Sequence, residues 1–232
     1  MFKLSDTSKP IRHPANNNLR LHYDDTYENL HVMVDKGPFI REYLSDLKCT
    51  IDSALSEYPR VLAFRVDLRL PQEKDLSPDY AYTNQVISKF FESFTRKIQY
   101  DQDRVRKRNR YARGCNVRYV WARETGESGR PHYHLLILLN RDAYYTVGRL
   151  GSARVNMISR MEESWANALR ISDKQVRGLV HIPEHAEYRV DRNVNPDDED
   201  ELPELFYRAS YLCKAATKSY GDRQRAYGTS RG

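Results

Sequence analysis

The ten residues Arg130-Pro131-His132-Tyr133-His134-Leu135-Leu136-Ile137-Leu138-Leu139 constrain the fold of this chain more than any other stretch. Five large aliphatic residues in a row, preceded by the turn formers Gly126, Gly129 and Pro131, predict a buried β-strand. Side chains two apart on a strand share a face, so His132 and His134 point together and Tyr133 points the other way. The aliphatic run would hold both imidazoles still, which makes the pair a candidate metal clamp. Two histidines on a strand are more often surface or hydrogen-bonded residues, so the rest of the chain has to supply what a clamp needs.

Around that strand, apolar periodicity predicts helices and strands in alternation. Phe39, Tyr43, Leu44, Leu47, Ile51 and Leu55 recur at helical spacing between about 38 and 58, and Pro59 stops the pattern. Residues 61–70 read as a strand ended by Pro71. A second helix is expected from about 78 to 100, on the stripe Val86, Ile87, Phe90, Phe91, Phe94 and Ile98, with a basic continuation towards Arg110. Residues 116–124 read as a strand that the turn 125–131 joins to the histidine strand as a β-hairpin. A helix over 153–169, a short strand over 178–182, an acidic turn after Val194 and a last helix from Glu204 to about Tyr220 follow. Residues 1–36, polar and without sustained periodicity, read as a mostly irregular N-terminal arm, and 37–232 as a single domain with its core at about 60–220. This order contains β-α-β-β-α-β. It predicts an α+β, split βαβ fold of the ferredoxin-like or RRM-like kind: a central antiparallel sheet with helices packed on one face and the other face open for a site.

Composition narrows the partners. The net charge of +6 conceals a segregation, with Arg104, Arg106, Lys107, Arg108, Arg110 and Arg113 in one segment and Asp197, Asp198, Glu199, Asp200 and Glu201 in another. Clustered basic charge is the footprint of a phosphate backbone, and Tyr100, Tyr111 and Tyr119 lie in or beside it, where rings can stack on unpaired bases. A solvated helix face is the plainer account of the same charges. No apolar run approaches membrane length, and Met1-Phe2-Lys3-Leu4-Ser5-Asp6 lacks the core of a signal peptide, so a soluble chain without a membrane partner is expected. Three widely spaced cysteines, Cys49, Cys115 and Cys213, speak against a disulfide framework or a CxxC metal site and fit a reducing cytoplasm.

A second constellation lies in the last expected helix, Tyr207-Arg208-Ala209-Ser210-Tyr211-Leu212-Cys213-Lys214. Helical spacing puts Tyr207, Tyr211 and Lys214 along one stripe, with Lys218 a turn further. Tyrosines packing while a lysine snorkels to water is the ordinary reading. The chemical reading is that tyrosine can act as a covalent nucleophile and that a neighbouring cation favours its phenolate. For the clamp, the hairpin offers Glu124 and Glu127 as a third ligand. If Glu124 pairs opposite His132, alternation puts it on the histidine face while Glu127 falls in the loop; Glu124 is therefore preferred, Glu127 second and Asp67 third. Two imidazoles and one carboxylate with open positions suit Mg²⁺ or Mn²⁺.

Together, Arg130-Pro131-His132-Tyr133-His134 and the segment Tyr207 to Lys214 resemble the metal motif and the two-tyrosine motif of the HUH endonucleases that initiate rolling-circle replication. Leu62 to Leu68 stands where the family's first, weaker motif stands. The resemblance spans about Val61 to Lys218 and is nearest to the inovirus gene II-type replication proteins of filamentous phages and prophages. Tyr133 takes the place of the aliphatic residue usual between the histidines, which alters the packing face and not the ligand face. The resemblance implies the HUH nuclease fold and a metal-dependent transesterification on single-stranded or supercoiled origin DNA in a bacterial host cytoplasm. In that scheme Tyr211 is the first-ranked nucleophile, Tyr207 its partner and Lys214 the stabiliser of phenolate or phosphate charge. A 5′-phosphotyrosine intermediate forms, and a host helicase unwinds in trans, since no GxxxxGK motif occurs. Arg130, Arg123, Arg118, Arg106, Lys107, Arg108, Arg110 and Lys218 are the expected DNA contacts.

Two other readings stand beside this one. A relaxase or transposase would use the same chemistry, but relaxases more often carry three clustered histidines, and one-tyrosine transposases lack a Tyr207–Tyr211 pair. A non-catalytic RRM-like nucleic-acid-binding module would show base-stacking aromatics on two central strands, which His132-Tyr133-His134 does not supply.

Overall fold

The computed structural model describes residues 10–72, 78–126, 129–149, 151–152, 155–194 and 199–230. In chain order its strands and helices are β1 (Arg12–His13), β2 (Asn16–His22), β3 (Thr26–Tyr27), β4 (Leu30–His31), β5 (Phe39–Ile40), α1 (Arg41–Glu57), β6 (Arg60–Arg69), α2 (Gln85–Arg108), β7 (Arg118–Thr125), β8 (Pro131–Asn140), α3 (Met157–Leu169), β9 (Val180–His181), β10 (Glu187–Asp191), α4 (Leu202–Ala209) and β11 (Tyr227–Thr229). The fold is mixed α+β, with antiparallel sheets and, among the described residues, four α-helices. Its main sheet runs β10-β6-β8-β7-β11, all neighbours antiparallel, with β9 pairing the end of β6. No helix among the described residues is long and apolar enough to cross a membrane.

The histidine strand is β8, second-neighboured on both sides and central. Its side chains alternate between two cores. Tyr133, Leu135, Ile137 and Leu139 join Leu62, Phe64, Val66 and Leu68 of β6 under the apolar stripes of α2 and α3. Leu136 and Leu138 join Val61, Ala63, Val120 and Ala122 under α1 and α4, against Leu44, Leu47, Ile51, Leu205 and Phe206. Each large apolar side chain so buried contributes roughly 1.5–3 kcal/mol. Trp165, wholly buried at the α3 interface, also donates its indole N–H to the Arg69 carbonyl at 2.8 Å.

This corrects one expectation: helices cover both faces of the sheet, and the second face is not open. The reason is visible in β8 itself, because five successive aliphatics are apolar on both sides, and a strand of that kind needs cover on both. Three further expectations change. The N-terminal arm is not mostly irregular: β1, β2 and β5 form a three-stranded sheet, and β3 and β4 pair as a hairpin. The fourth core strand is β10, whose Glu-Tyr-Arg-Val-Asp alternation was available as a signal, and β11 adds an edge beside β7. At β11 the alpha carbon of Gly228 lies so close to Trp121 that an added Cβ would stand 2.8 Å from the indole, so only glycine fits.

The last helix is also shorter than its sequence suggested. α4 ends at Ala209, a 3-10 turn covers Ser210–Cys213, and Lys214 then pairs with Phe39 as a β-bridge while the Ala215 N–H donates to the Pro38 carbonyl at 2.8 Å. Leu212, Cys213, Lys214 and Ala215 are buried in succession, which a helix with one wet face cannot achieve. The acidic stretch after Val194 falls partly at 195–198, outside the described residues.

Candidate metal and nucleophile site

The hairpin register sets the site. Glu124 of β7 lies opposite His132, and Ala122 opposite His134, while β6 places Asp67 opposite His134 from the other side. Alternation then puts Glu124, His132, His134 and Asp67 on the α1/α4 face, at the end of the sheet where the apolar rows of that face give out. The turn before β8 uses Gly129 at φ +69°, a conformation that favours glycine. Potential ligand atoms of Glu124, His132 and His134 all lie within 4.8 Å of one another.

Asp67 holds one of these rings in place. Its Oδ1 is 2.6 Å from His134 Nδ1, and its Oδ2 is 3.4 Å from Nδ1 of His181, across the β6–β9 pairing. With Nδ1 donating to Asp67, His134 turns Nε2 into the cluster. That Nε2 is buried and has no hydrogen-bond partner, although Glu124 Oε2 is 3.5 Å away. A buried imidazole nitrogen with nothing to bind, faced by a second imidazole and a carboxylate, fits a divalent cation, and carboxylate–histidine pairs commonly orient such ligands. Glu124, His132 and His134 are therefore the candidate ligands. Asp67, ranked third as a ligand from the sequence, is the partner behind one.

The ionisable groups of the cluster shift one another. Burial would raise the Glu124 carboxyl, but the approach of His134 and the Lys218 ammonium overcome it and hold the group far below the usual carboxylate range. Burial likewise opposes ionisation of Asp67, and His134 and His181 outweigh it, so Asp67 is lowered too. His132 is lowered, by burial first and by the neighbouring His134 second. Burial would lower His134 as well, yet Asp67 and Glu124 carry it upward.

The tyrosine segment reaches this cluster from above. The ring of Tyr211 meets His134 edge-on, with 5.4 Å between ring centres. Lys214 Nζ donates to the Tyr211 phenol oxygen at 2.5 Å and stands 3.0 Å from Glu124 Oε2. Tyr207 is half-buried one turn earlier in α4, with no contact to the histidines among the described interactions. Beside His132 and His134 opens a cavity of about 640 Å³, also lined by Asp67, Arg69 and Arg130.

The expected DNA contacts divide. Arg130 borders that cavity and donates to the Pro71 carbonyl at 2.9 Å. Three of the others are engaged within the protein. Lys218 has no exposed side-chain surface and pairs with Glu124 Oε1 at 2.8 Å, so it does not meet solvent or phosphate. Arg123 is buried on the opposite face, bound to Asp222 and the Tyr82 carbonyl. Arg118 is tied to Glu57 at 2.9 Å. Arg106, Lys107, Arg108 and Arg110 are exposed at and just beyond the end of α2. They belong to the far end of the sheet, because Asn140, the last residue of β8, donates to the Gly114 carbonyl and Gly114 lies against Arg106. Glu127, the second choice for a ligand, lies outside the described residues. Sequence reasoning missed the Lys218–Glu124 and Asp67–His134 pairs; the opposite registers of β6 and β8 were the only route to the second.

Comparison with known proteins sets the chain among relatives. It is 33% identical over 209 residues to "Uncharacterized protein YagK" of Escherichia coli (strain K12), covering 88% of this chain and 97% of the relative. It is 29% identical over 202 residues to "Uncharacterized protein YfjJ" of the same organism, covering 84% and 97%. No solved structure matches the chain. The family model "YagK/YfjJ C-terminal domain" matches residues 22–230, a span that contains Asp67, the hairpin ligands and the Tyr211–Lys214 segment, and the chain belongs to that family.

Proposed function

We propose that this chain is a replication-initiator endonuclease of the two-tyrosine HUH kind, which nicks and rejoins single-stranded DNA at a specific origin. The observation that carries the reading is one ammonium shared by two chemistries: Lys214 Nζ touches both the Tyr211 phenol and the Glu124 carboxylate of the candidate metal cluster. A structural role for Tyr211 would not need an imidazole pair and a buried carboxylate gathered beneath it. The strand order also agrees with a split βαβ core, since β10, β6, β8 and β7 are the fourth, first, third and second strands of that pattern, with α2 and α3 on one face.

In this reading Glu124, His132 and His134 hold Mg²⁺ or Mn²⁺, which when bound would polarise a phosphodiester and offset charge on its oxygens. The Tyr211 oxygen attacks phosphorus; the new O–P bond forms as the bond to the 3′ oxygen breaks. The phenol proton is lost and the 3′ oxygen gains one, leaving a 5′-phosphotyrosine and a free 3′-hydroxyl. Lys214 stabilises the phenolate before attack and phosphate charge after it. The ester keeps the bond energy, so rejoining needs no nucleotide, and Tyr207 would take the strand in a second transfer. An RRM-like stacking module is less well supported, because the central-strand aromatics Trp121 and Tyr133 are buried under α2 and α3.

The test is incubation with a single-stranded DNA library and Mn²⁺, followed by recovery of strands that survive denaturation on the protein. Covalent strands with one enriched junction are expected. Tyr211→Phe should lower their yield by at least about 100-fold, as loss of a nucleophile does, and Tyr207→Phe/Tyr211→Phe should abolish it. A denaturation-resistant adduct on the double variant would sink the nucleophile assignment. Binding without any adduct on the wild type would favour the non-catalytic module.

A further inference from the structure

Lys218 has no place in the chemistry just described, and its position is unusual. Its side chain has no exposed surface, and lysines are rarely buried so fully unless paired. The partner is Glu124 Oε1 at 2.8 Å, on a carboxylate that is itself 3% exposed. The other oxygen, Oε2, is the one that faces His134 at 3.5 Å, His132 at 4.0 Å and Lys214 at 3.0 Å. The two oxygens of Glu124 are therefore divided, one to a buried cation and one to the candidate ligand cluster.

We propose that Lys218 is a positioning residue that restricts Glu124 to a single ligating oxygen and, together with Lys214, makes divalent-cation binding and phosphodiester binding depend on each other. This rests on the reading of the cluster as a metal-assisted DNA-cleaving site. The carboxylates of Glu124 and Asp67 are matched in number by the ammoniums of Lys214 and Lys218, both within 3.0 Å of Glu124. A divalent cation entering a cluster already balanced by two ammoniums adds two uncompensated positive charges in a partly desolvated place. Close like charges oppose that strongly where water screens poorly. A scissile phosphodiester brings negative charge to the cluster and offsets part of that excess. The cation is thus held weakly by the free protein and tightly when a phosphate is present, and linkage requires the reverse dependence as well.

The experiment measures Mn²⁺ affinity by the electron paramagnetic resonance signal of the free ion, on the Tyr207→Phe/Tyr211→Phe protein so that no strand is consumed. It is run with no DNA, with a single-stranded oligonucleotide carrying the recovered junction (or a mixed-sequence pool), and with the same strand bearing neutral methylphosphonate linkages. Oligonucleotide-only blanks are subtracted. The charged strand is expected to tighten Mn²⁺ by about 10-fold or more, within the usual span of coupling between sites, and the neutral strand is expected to do nothing. In Lys218→Met the free protein should bind Mn²⁺ more tightly and the ratio should fall to below about 3-fold, while Lys218→Arg, which keeps the charge, should retain the ratio. Equal affinity with and without the charged strand in the wild-type Lys218 background overturns the proposal even if Lys218→Met does not fold. An unchanged ratio in a folded Lys218→Met also overturns it. If Mn²⁺ binds under no condition, the metal-site reading itself fails; if it binds uncoupled, only the role of Lys218 does.

Discussion

Asp67 shows what one side chain can do at this site without itself being a ligand. It fixes the tautomer and the rotation of His134 through a 2.6 Å contact to Nδ1, and so decides which nitrogen looks into the cluster. Asp67→Asn keeps the shape but lets the amide present either oxygen or nitrogen to that ring. The expected result, by titration calorimetry with Mn²⁺ on the free protein, is a loss of affinity of about 10–100-fold with little change in thermal midpoint. Retention of full affinity would remove Asp67 from the site. At this scale the legible part of the site was what strand alternation and pairing dictate: His132, His134 and, through the hairpin, Glu124. Lys218 was not legible, because a lysine one turn beyond Lys214 in an assumed helix reads as solvated, and its real partner is 94 positions away in the chain. Arg123 misled for the same reason. Its face was predictable, but its partner Asp222 was not.

Among elements, the decisive one is the segment that carries Tyr211. It is not a free helix end but is pinned by the N-terminal arm and by β5: the Met33 N–H donates to Ser210 Oγ at 3.0 Å, Ser210 in turn donates to the Tyr207 carbonyl, and Phe39 of β5 bridges Lys214. Ser210 is wholly buried, and Ser210→Ala leaves the half-buried Met33 N–H without its acceptor, at a cost of roughly 1 kcal/mol. A lowered thermal midpoint and a reduced adduct yield are expected together, whereas Cys49→Ser, exposed on α1, should change neither. A second junction ties the end of α1 to the start of β7 through Glu57, which accepts from Tyr58, Asn116 and Arg118. Burial would raise this carboxyl, but those donors win and lower it from its ordinary 4.5. A carboxyl depressed in the folded state contributes stability above its unfolded value and loses it as the pH falls through the folded one. The thermal midpoint should therefore drop as the pH falls below the ordinary carboxyl value, and Glu57→Gln should flatten that part of the curve. Periodicity made α1, α2, α3 and the hairpin legible in outline. It could not show that chain pairing at Phe39 halts the last helix, because that contact lies far off in sequence.

Across the whole molecule, the charges that first suggested nucleic acid and the cluster that suggests its cleavage sit at opposite ends of one strand. From His132 to Asn140 is eight residue steps along β8, about 27 Å at strand rise. A DNA strand would have to span that distance for one phosphate to lie at the cluster and another at the end of α2. Tyr100 and Tyr111, 73% and 74% exposed, flank the basic end and offer rings there as well. If this surface serves binding and not chemistry, the two can be separated by the length of the DNA. Replacing exposed Arg106, Lys107 and Arg108 together with alanine should weaken binding of a long substrate and reduce the slope of log affinity against log salt by up to about 3, one per lost phosphate contact. Adduct yield on an oligonucleotide too short to reach from the Tyr211 end should stay the same. Equal losses on short and long strands would mean that the basic end supports the fold or the cluster itself, and that the charge segregation seen in the sequence had a structural cause.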